Sequence, residues 1–201
     1  MMKEKIILAV IILTLGCSKI EVREVKDPIS GQLIEQFEEI ETENGSYFKN
    51  GYYKSWYSNG QIKSNGNYKN NKKDGKWTNY YKSGQIRSVL EITNDTLNGK
   101  FIKYYENGQI NLEGSFVMGK ENGESKEFYE SGQLKSETNY TNGLKDGMST
   151  IWHVNGQKSS QGLYSNNEKV KDSWKYWDKE GNSIKAPNKS EKKGVFEVSR
   201  Y

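Results

Sequence analysis

The sequence predicts an all-β protein, an elongated single-layer antiparallel β-meander built from hairpins. Three observations predict it. Gly51, Gly75, Gly99, Gly123 and Gly147 recur every 24 residues. A second row, Gly60, Gly84, Gly108, Gly132 and Gly156, keeps the same interval and is followed each time by Gln. A fixed period of about 20 to 50 residues marks one small unit copied and stacked. Finally, only 33% of the chain is hydrophobic, yet it holds 14 Tyr, 6 Phe and 5 Trp. That is too little apolar mass for a thick two-layer core and too many stiff rings for a disordered tail.

Taken in chain order, residues 1–16 read as a secretory signal. Lys3 and Lys5 open the chain, and residues 6–15, IILAVIILTL, are apolar apart from Thr14. Ten residues are too few for a bilayer span, which needs about 20, but they suit the apolar region of a signal peptide. Gly16-Cys17 follows, and the junction resembles a bacterial lipoprotein signal, with Thr14 and Leu15 where Leu and a small residue are usual. The resemblance implies cleavage before Cys17 and acylation of its thiol, an anchor of two or three chains at about 0.8 kcal/mol per buried methylene. A plain signal peptide with an incidental cysteine, or a buried anchor helix, are the alternatives. Cys17 is the single cysteine of the chain, so disulfides play no part.

Residues 17–50 form an acidic cap with a partial repeat. The stretch from 18 to 50 holds four basic and eight acidic residues in a chain whose net charge is +4. The apolar residues Ile20, Val22 and Val25, then Leu33, Ile34 and Phe37, predict strands that cover the first edge of the array.

The array proper runs from 51 to 186. Each unit holds two strand-like runs. The first ends in a ring pair: Trp56-Tyr57, Tyr80-Tyr81, Tyr104-Tyr105, Phe128-Tyr129, then Trp152-His153. Asn59-Gly60 and its equivalents predict a hairpin turn in which both residues take positive φ. The second run alternates, with Ile62, Ser64, Gly66 and Tyr68 on one face and Lys63, Asn65 and Asn67 on the other. Small inward residues such as Gly66 and Gly114 predict room for rings from the paired strand. Asp74-Gly75 and Asp146-Gly147 predict the second turn, so both glycine rows read as turn glycines. Ser125 and Ser149 stand where Tyr53, Trp77 and Phe101 stand in earlier units, which predicts looser packing there. Residues 187–201 read as a tail in which Val195–Val198 supplies a capping strand.

These units resemble the MORN-repeat variant of bacterial proteins, with a pattern near G-x-W-x-x-Y-Y-x-x-G-x-I, over about residues 27–186. The resemblance implies an open antiparallel meander and a binding module without catalytic residues. Many relatives are labelled YwqK-like antitoxins, and that label carries over no site residue.

No enzyme chemistry is predicted. The sole histidine, His153, occupies a ring position of the repeat, no His/Cys cluster has zinc spacing, and every glycine of the two rows has a structural use. No metal or cofactor is expected, and export argues against nucleic acid. The expected binding surface is the row Tyr57, Tyr81, Tyr105 and Tyr129, since Tyr gives rigid amphipathic contact area. The function expected is a lipid-anchored interaction module of the cell envelope, on the outer-membrane or periplasmic side. Its partner is an unknown protein, of which a toxin is the antitoxin or immunity variant. The alternative is a module for envelope glycans or lipid headgroups, whose rings would cage a cation.

Overall fold

A computed structural model describes residues 6–15 and 18–187. It contains strands alone, joined into one open sheet in meander order. In chain order these are β1 (Ile6–Leu15), β2 (Ser18–Lys26), β3 (Leu33–Glu41), β4 (Tyr47–Trp56), β5 (Ile62–Lys69) and β6 (Lys72–Tyr80). Then come β7 (Ile86–Thr93), β8 (Thr96–Tyr104), β9 (Ile110–Val117), β10 (Lys120–Glu121), β11 (Gly123–Phe128) and β12 (Leu134–Thr141). The last are β13 (Leu144–Trp152), β14 (Lys158–Ser165), β15 (Glu168–Lys169), β16 (Lys175–Trp177) and β17 (Ser183–Ile184). Both β10 and β11 pair with β9, and both β15 and β16 pair with β14, so each couple is one strand interrupted. The predicted all-β meander is the fold observed.

The apolar run of the predicted signal peptide is β1, which pairs antiparallel with β2. Cys17 and the expected capping strand at 195–198 lie outside the described residues. The acidic cap is β2 and β3. Val22, Val25 and Phe37 are buried between them, and the buried carboxylates Glu21 and Glu39 both pair with Arg23. A buried carboxylate is tolerated when paired in this way.

The two glycine rows do different work, which corrects the sequence reading. Gly60 and its equivalents do close hairpins. The amide of Gly60 donates to Tyr57 O, the amide of Tyr57 donates to Gln61 O, and φ of Gly60 is +83°. Asn59 keeps negative φ, so this is a three-residue connection ending on a left-handed glycine and not the two-residue Asn-Gly turn expected. The two-residue turns lie at the opposite edge, at Asn70-Asn71, Asn94-Asp95, Met118-Gly119, Asn142-Gly143 and Asn166-Asn167, where both residues have positive φ.

Gly75 is therefore not a turn residue. It sits inside β6, as Gly51, Gly99 and Gly147 sit inside β4, β8 and β13, and Gly123 opens β11. At each register shift one residue of a strand faces three of its neighbour: Glu38 faces 50–52, Gly66 faces 75–77, and Glu91 faces 98–100. The left-handed glycine forms this β-bulge, and the backbone it turns outward is capped. Glu38 Oε2 accepts from the amide of Tyr52 at 3.1 Å, and Glu91 Oε2 from Lys100 at 2.8 Å. Asp-Gly reads as a turn because turn and bulge both need a left-handed residue.

Candidate functional site

The turn edges hold the repeats in register. Along the edge of the three-residue turns, Tyr57 Oη donates to Tyr80 O at 2.7 Å and Tyr81 Oη to Tyr104 O at 2.6 Å. Tyr105 Oη donates to Phe128 O at 2.8 Å, and Tyr129 Oη to Trp152 O at 2.7 Å. Each tyrosine thus ties its own turn to the strand end of the next unit. His153 keeps the rule with a ring nitrogen, Nε2 lying 3.0 Å from Trp177 O, as expected of a ring substituted into the row. Asn59, Asn107 and Asn155 add a second rung, their Nδ2 groups donating to the carbonyls of Lys82, Glu130 and Lys179.

The four tyrosines expected to present a binding surface are thus committed to the fold. Their rings are half-buried and their hydroxyls are used within the chain. For Tyr105→Phe we expect a loss of about 1 kcal/mol, the net worth of one internal hydrogen bond. Urea unfolding checks it, and an unchanged midpoint would show that the hydroxyl adds nothing.

The row ends on aspartate on both sides. Asp27 and Asp178 occupy the positions equivalent to Tyr57. Asp27 Oδ1 accepts from the amides of Ile29 and Ser30, and Asp178 Oδ1 from those of Glu180 and Asn182. At both places the carboxylate satisfies its own loop instead of reaching to the next strand end.

The other edge has its own ladder. Asn71, Asp95 and Asn167 accept through Oδ1 from the amides of Lys49, Lys73 and Lys145, all at 2.7 Å. Asn70, Asn94, Asn142 and Asn166 fill the first turn position, since Asn tolerates left-handed geometry. Met118 is the exception, at φ +48° and 81% exposed.

One face of the sheet carries the core. Trp77 is 2% exposed and lies over Gly66, whose added Cβ would stand 2.4 Å from the indole. Phe101 covers Gly114 and Trp174 covers Gly162 in the same way, so the small inward residues do leave room for rings. Trp77 makes ring contacts with Tyr53 and Tyr68 at 5.4 and 5.3 Å, and its Nε1 donates to Asn67 O at 3.1 Å. The expected looseness at Ser125 and Ser149 is not observed. Both are buried, Ser149 at 2% exposure, because Thr138 fills the space and shares a 2.8 Å hydrogen bond with Ser149.

Lysines stand over these rings. Lys49 Nζ is 4.0 Å from the centroid of Phe37 and 5.3 Å from that of Tyr68, Lys73 is 4.3 Å from Trp77, and Lys169 is 3.6 Å from Trp174. Such contacts contribute about 0.5–1 kcal/mol when exposed. The Tyr68 phenol is pushed up to about 12, by burial first and then by Tyr53, Asp95 and Glu35, so Lys49 meets a neutral ring. In the middle of the row, Leu97 and Glu121 replace the lysines. There a trough of about 470 Å³ opens beside Phe101 and Phe116, between Leu97 and Glu121.

The opposite face is mixed: Thr78, Val89, Ile102, Glu113 and Lys126 stand in register across it. Lys126 bridges Glu124 at 2.7 Å and Glu137 at 3.7 Å. The hydrogen bond between the two carboxyls, with Lys126 beside it, lowers the pKa of Glu124 and raises that of Glu137. Among the described residues no group of three or more His, Cys, Asp and Glu could hold a metal ion, and no helix is long and apolar enough to cross a membrane.

Comparison with family models agrees with this geometry. Residues 49–70, 73–94, 97–118 and 121–142 match the MORN repeat variant. Each matched segment opens near a lysine-row position and ends at or beside a two-residue turn, so the family unit is the observed hairpin cut at the lower edge. Four successive units of the array, between 49 and 142, are thus similar to MORN-variant repeats. Such repeats are generally non-catalytic modules that bind proteins or membranes. No curated protein matches the chain.

Proposed function

We propose that this protein is a lipid-anchored, non-catalytic interaction module of the bacterial cell envelope. Its anchor is acylated Cys17 and its ligand is another protein. In the narrower antitoxin form that protein is a toxin. One observation carries the reading: the turn edges are tied by internal hydrogen bonds, while one face carries ring clusters, Tyr53-Tyr68-Trp77 towards one end and Tyr164-Trp174-Tyr176 towards the other, with a trough beside Phe101 and Phe116 between them. A single-layer sheet with one ring-bearing face offers area for recognition. The glycan or headgroup alternative draws less support. The rings that would cage a quaternary ammonium are already faced by the chain's own Lys49, Lys73 and Lys169.

Three measurements test the proposal. Cys17→Ala is expected to leave the unprocessed chain and abolish acyl labelling, and normal processing of that variant would remove the anchor from the reading. Crosslinking the native chain in its own envelope should capture a protein partner. Co-expression with that partner should relieve growth arrest if it is a toxin, and arrest that persists would exclude the antitoxin form.

A further inference from the structure

The trough beside Phe101 and Phe116 has a chemistry of its own. Leu90, Leu97 and Leu112 complete its apolar lining, and the two rings lie 4.9 Å apart. Lys103 and Lys120 also line it, and among the described residues neither ammonium is in an ion pair. Glu121 is the single carboxylate beside them. The same face carries Lys73 to one side and Lys145 to the other. An apolar trough with a cationic margin calls for an apolar ligand that bears carboxylates.

A second, independent observation lies at its end. Gly119 and Lys120 line the trough, and just before them stand Val117, the last residue of β9, and Met118, the first of the turn, 51% and 81% exposed. Met118 holds left-handed backbone in a turn position that four other units give to Asn. Non-glycine residues held in left-handed backbone cost about 1–3 kcal/mol each and cluster at active sites and ligand clamps. An exposed thioether beside an apolar trough is a common element of adaptable binding surfaces.

We infer that this trough, with Val117 and the Met118-Gly119 turn at its end, docks an acidic amphipathic segment of another protein. The segment seats a few apolar side chains among the leucines and rings and sets its carboxylates against Lys103 and Lys120. A flat bilayer fits less well, because Phe101 is 3% exposed and recessed. This inference rests on the interaction-module reading above and gives it a place and a partner chemistry.

The test is selection of a random peptide library displayed on phage against the full chain. Enriched peptides should carry apolar residues flanked by Asp or Glu. A synthetic copy, followed by fluorescence anisotropy, should bind Lys120→Glu about tenfold more weakly, which is about 1.4 kcal/mol. Met118→Asn should also weaken binding while raising the thermal midpoint, which separates lost binding from lost folding. Peptides without carboxylates, or binding that both substitutions leave unchanged, overturn the inference. Binding that responds instead to Lys126→Glu on the opposite face overturns the trough and leaves the module reading standing. A library that yields no enriched peptide removes both. Binding to phosphatidylglycerol vesicles that is lost in Met118→Asn overturns the protein partner in favour of a membrane.

Discussion

Trp77→Ala is expected to destabilise the array by about 3–5 kcal/mol, the range for removing a buried tryptophan. The indole is the most buried large side chain described. Its loss uncovers Gly66, leaves Asn67 O without its indole donor, breaks ring contacts with Tyr53 and Tyr68, and removes the surface under Lys73. An array contacts only its nearest neighbours, so the loss should be local. The expected unfolding curve has two steps, with the units around β4–β7 opening first. Hydrogen exchange resolved along the chain checks this. A single shifted transition would mean that the sheet couples over its full length, and a loss under about 1 kcal/mol would contradict the packing described.

Gly66→Ala is expected to cost about 1–3 kcal/mol, the range for overpacking. Its backbone is not left-handed, so the penalty is steric alone. The added methyl would meet three indole atoms within 2.7 Å, and a buried ring cannot move aside as a flexible side chain can. The decisive measurement is the double variant. With Trp77→Ala in place the methyl has room, so the Gly66→Ala penalty should vanish, a coupling as large as the single effect. Gly60→Ala provides the contrast. Its Cβ would meet nothing within 4 Å, but φ is +83°, so its cost should be unchanged by Trp77→Ala. A Gly66→Ala penalty that survives loss of the indole would assign it to the backbone instead.

Much of the fold was legible because period and alternation are local signals. The 24-residue spacing set the hairpins, and Gly66 and Gly114 pointed to rings across the strand. The connections were less legible. In residues 70–75, Asn-Asn and Asp-Gly both favour left-handed backbone, and only the pairing of Asn67 with Asp74 shows that the chain turns at the first and bulges at the second. The role of the tyrosine row was hidden for a different reason. Its partner is a backbone carbonyl 23 residues on, and sequence carries no mark of a carbonyl. The one available hint was His153, which keeps a ring-borne donor where the phenol is lost. The trough was not legible at all. It depends on where Leu97 and Glu121 interrupt the lysine row and on how Phe101 and Phe116 lie together in space.

Aspartates at both ends of the tyrosine row set a rule for how such a gene can lengthen. A duplication of 24 codons inserted between Asp27 and Asp178 adds a tyrosine and, with it, the carbonyl which that tyrosine needs. The new unit stays in phase with its neighbours and moves the ends apart by about 10 Å, two strand spacings. The same duplication placed after Asp178 would leave the seam before the new unit without a ring donor, since the Asp178 carboxylate is spent on its own loop. Growth is therefore favoured from within, and the number of units can drift through descent while the two ends stay as they are.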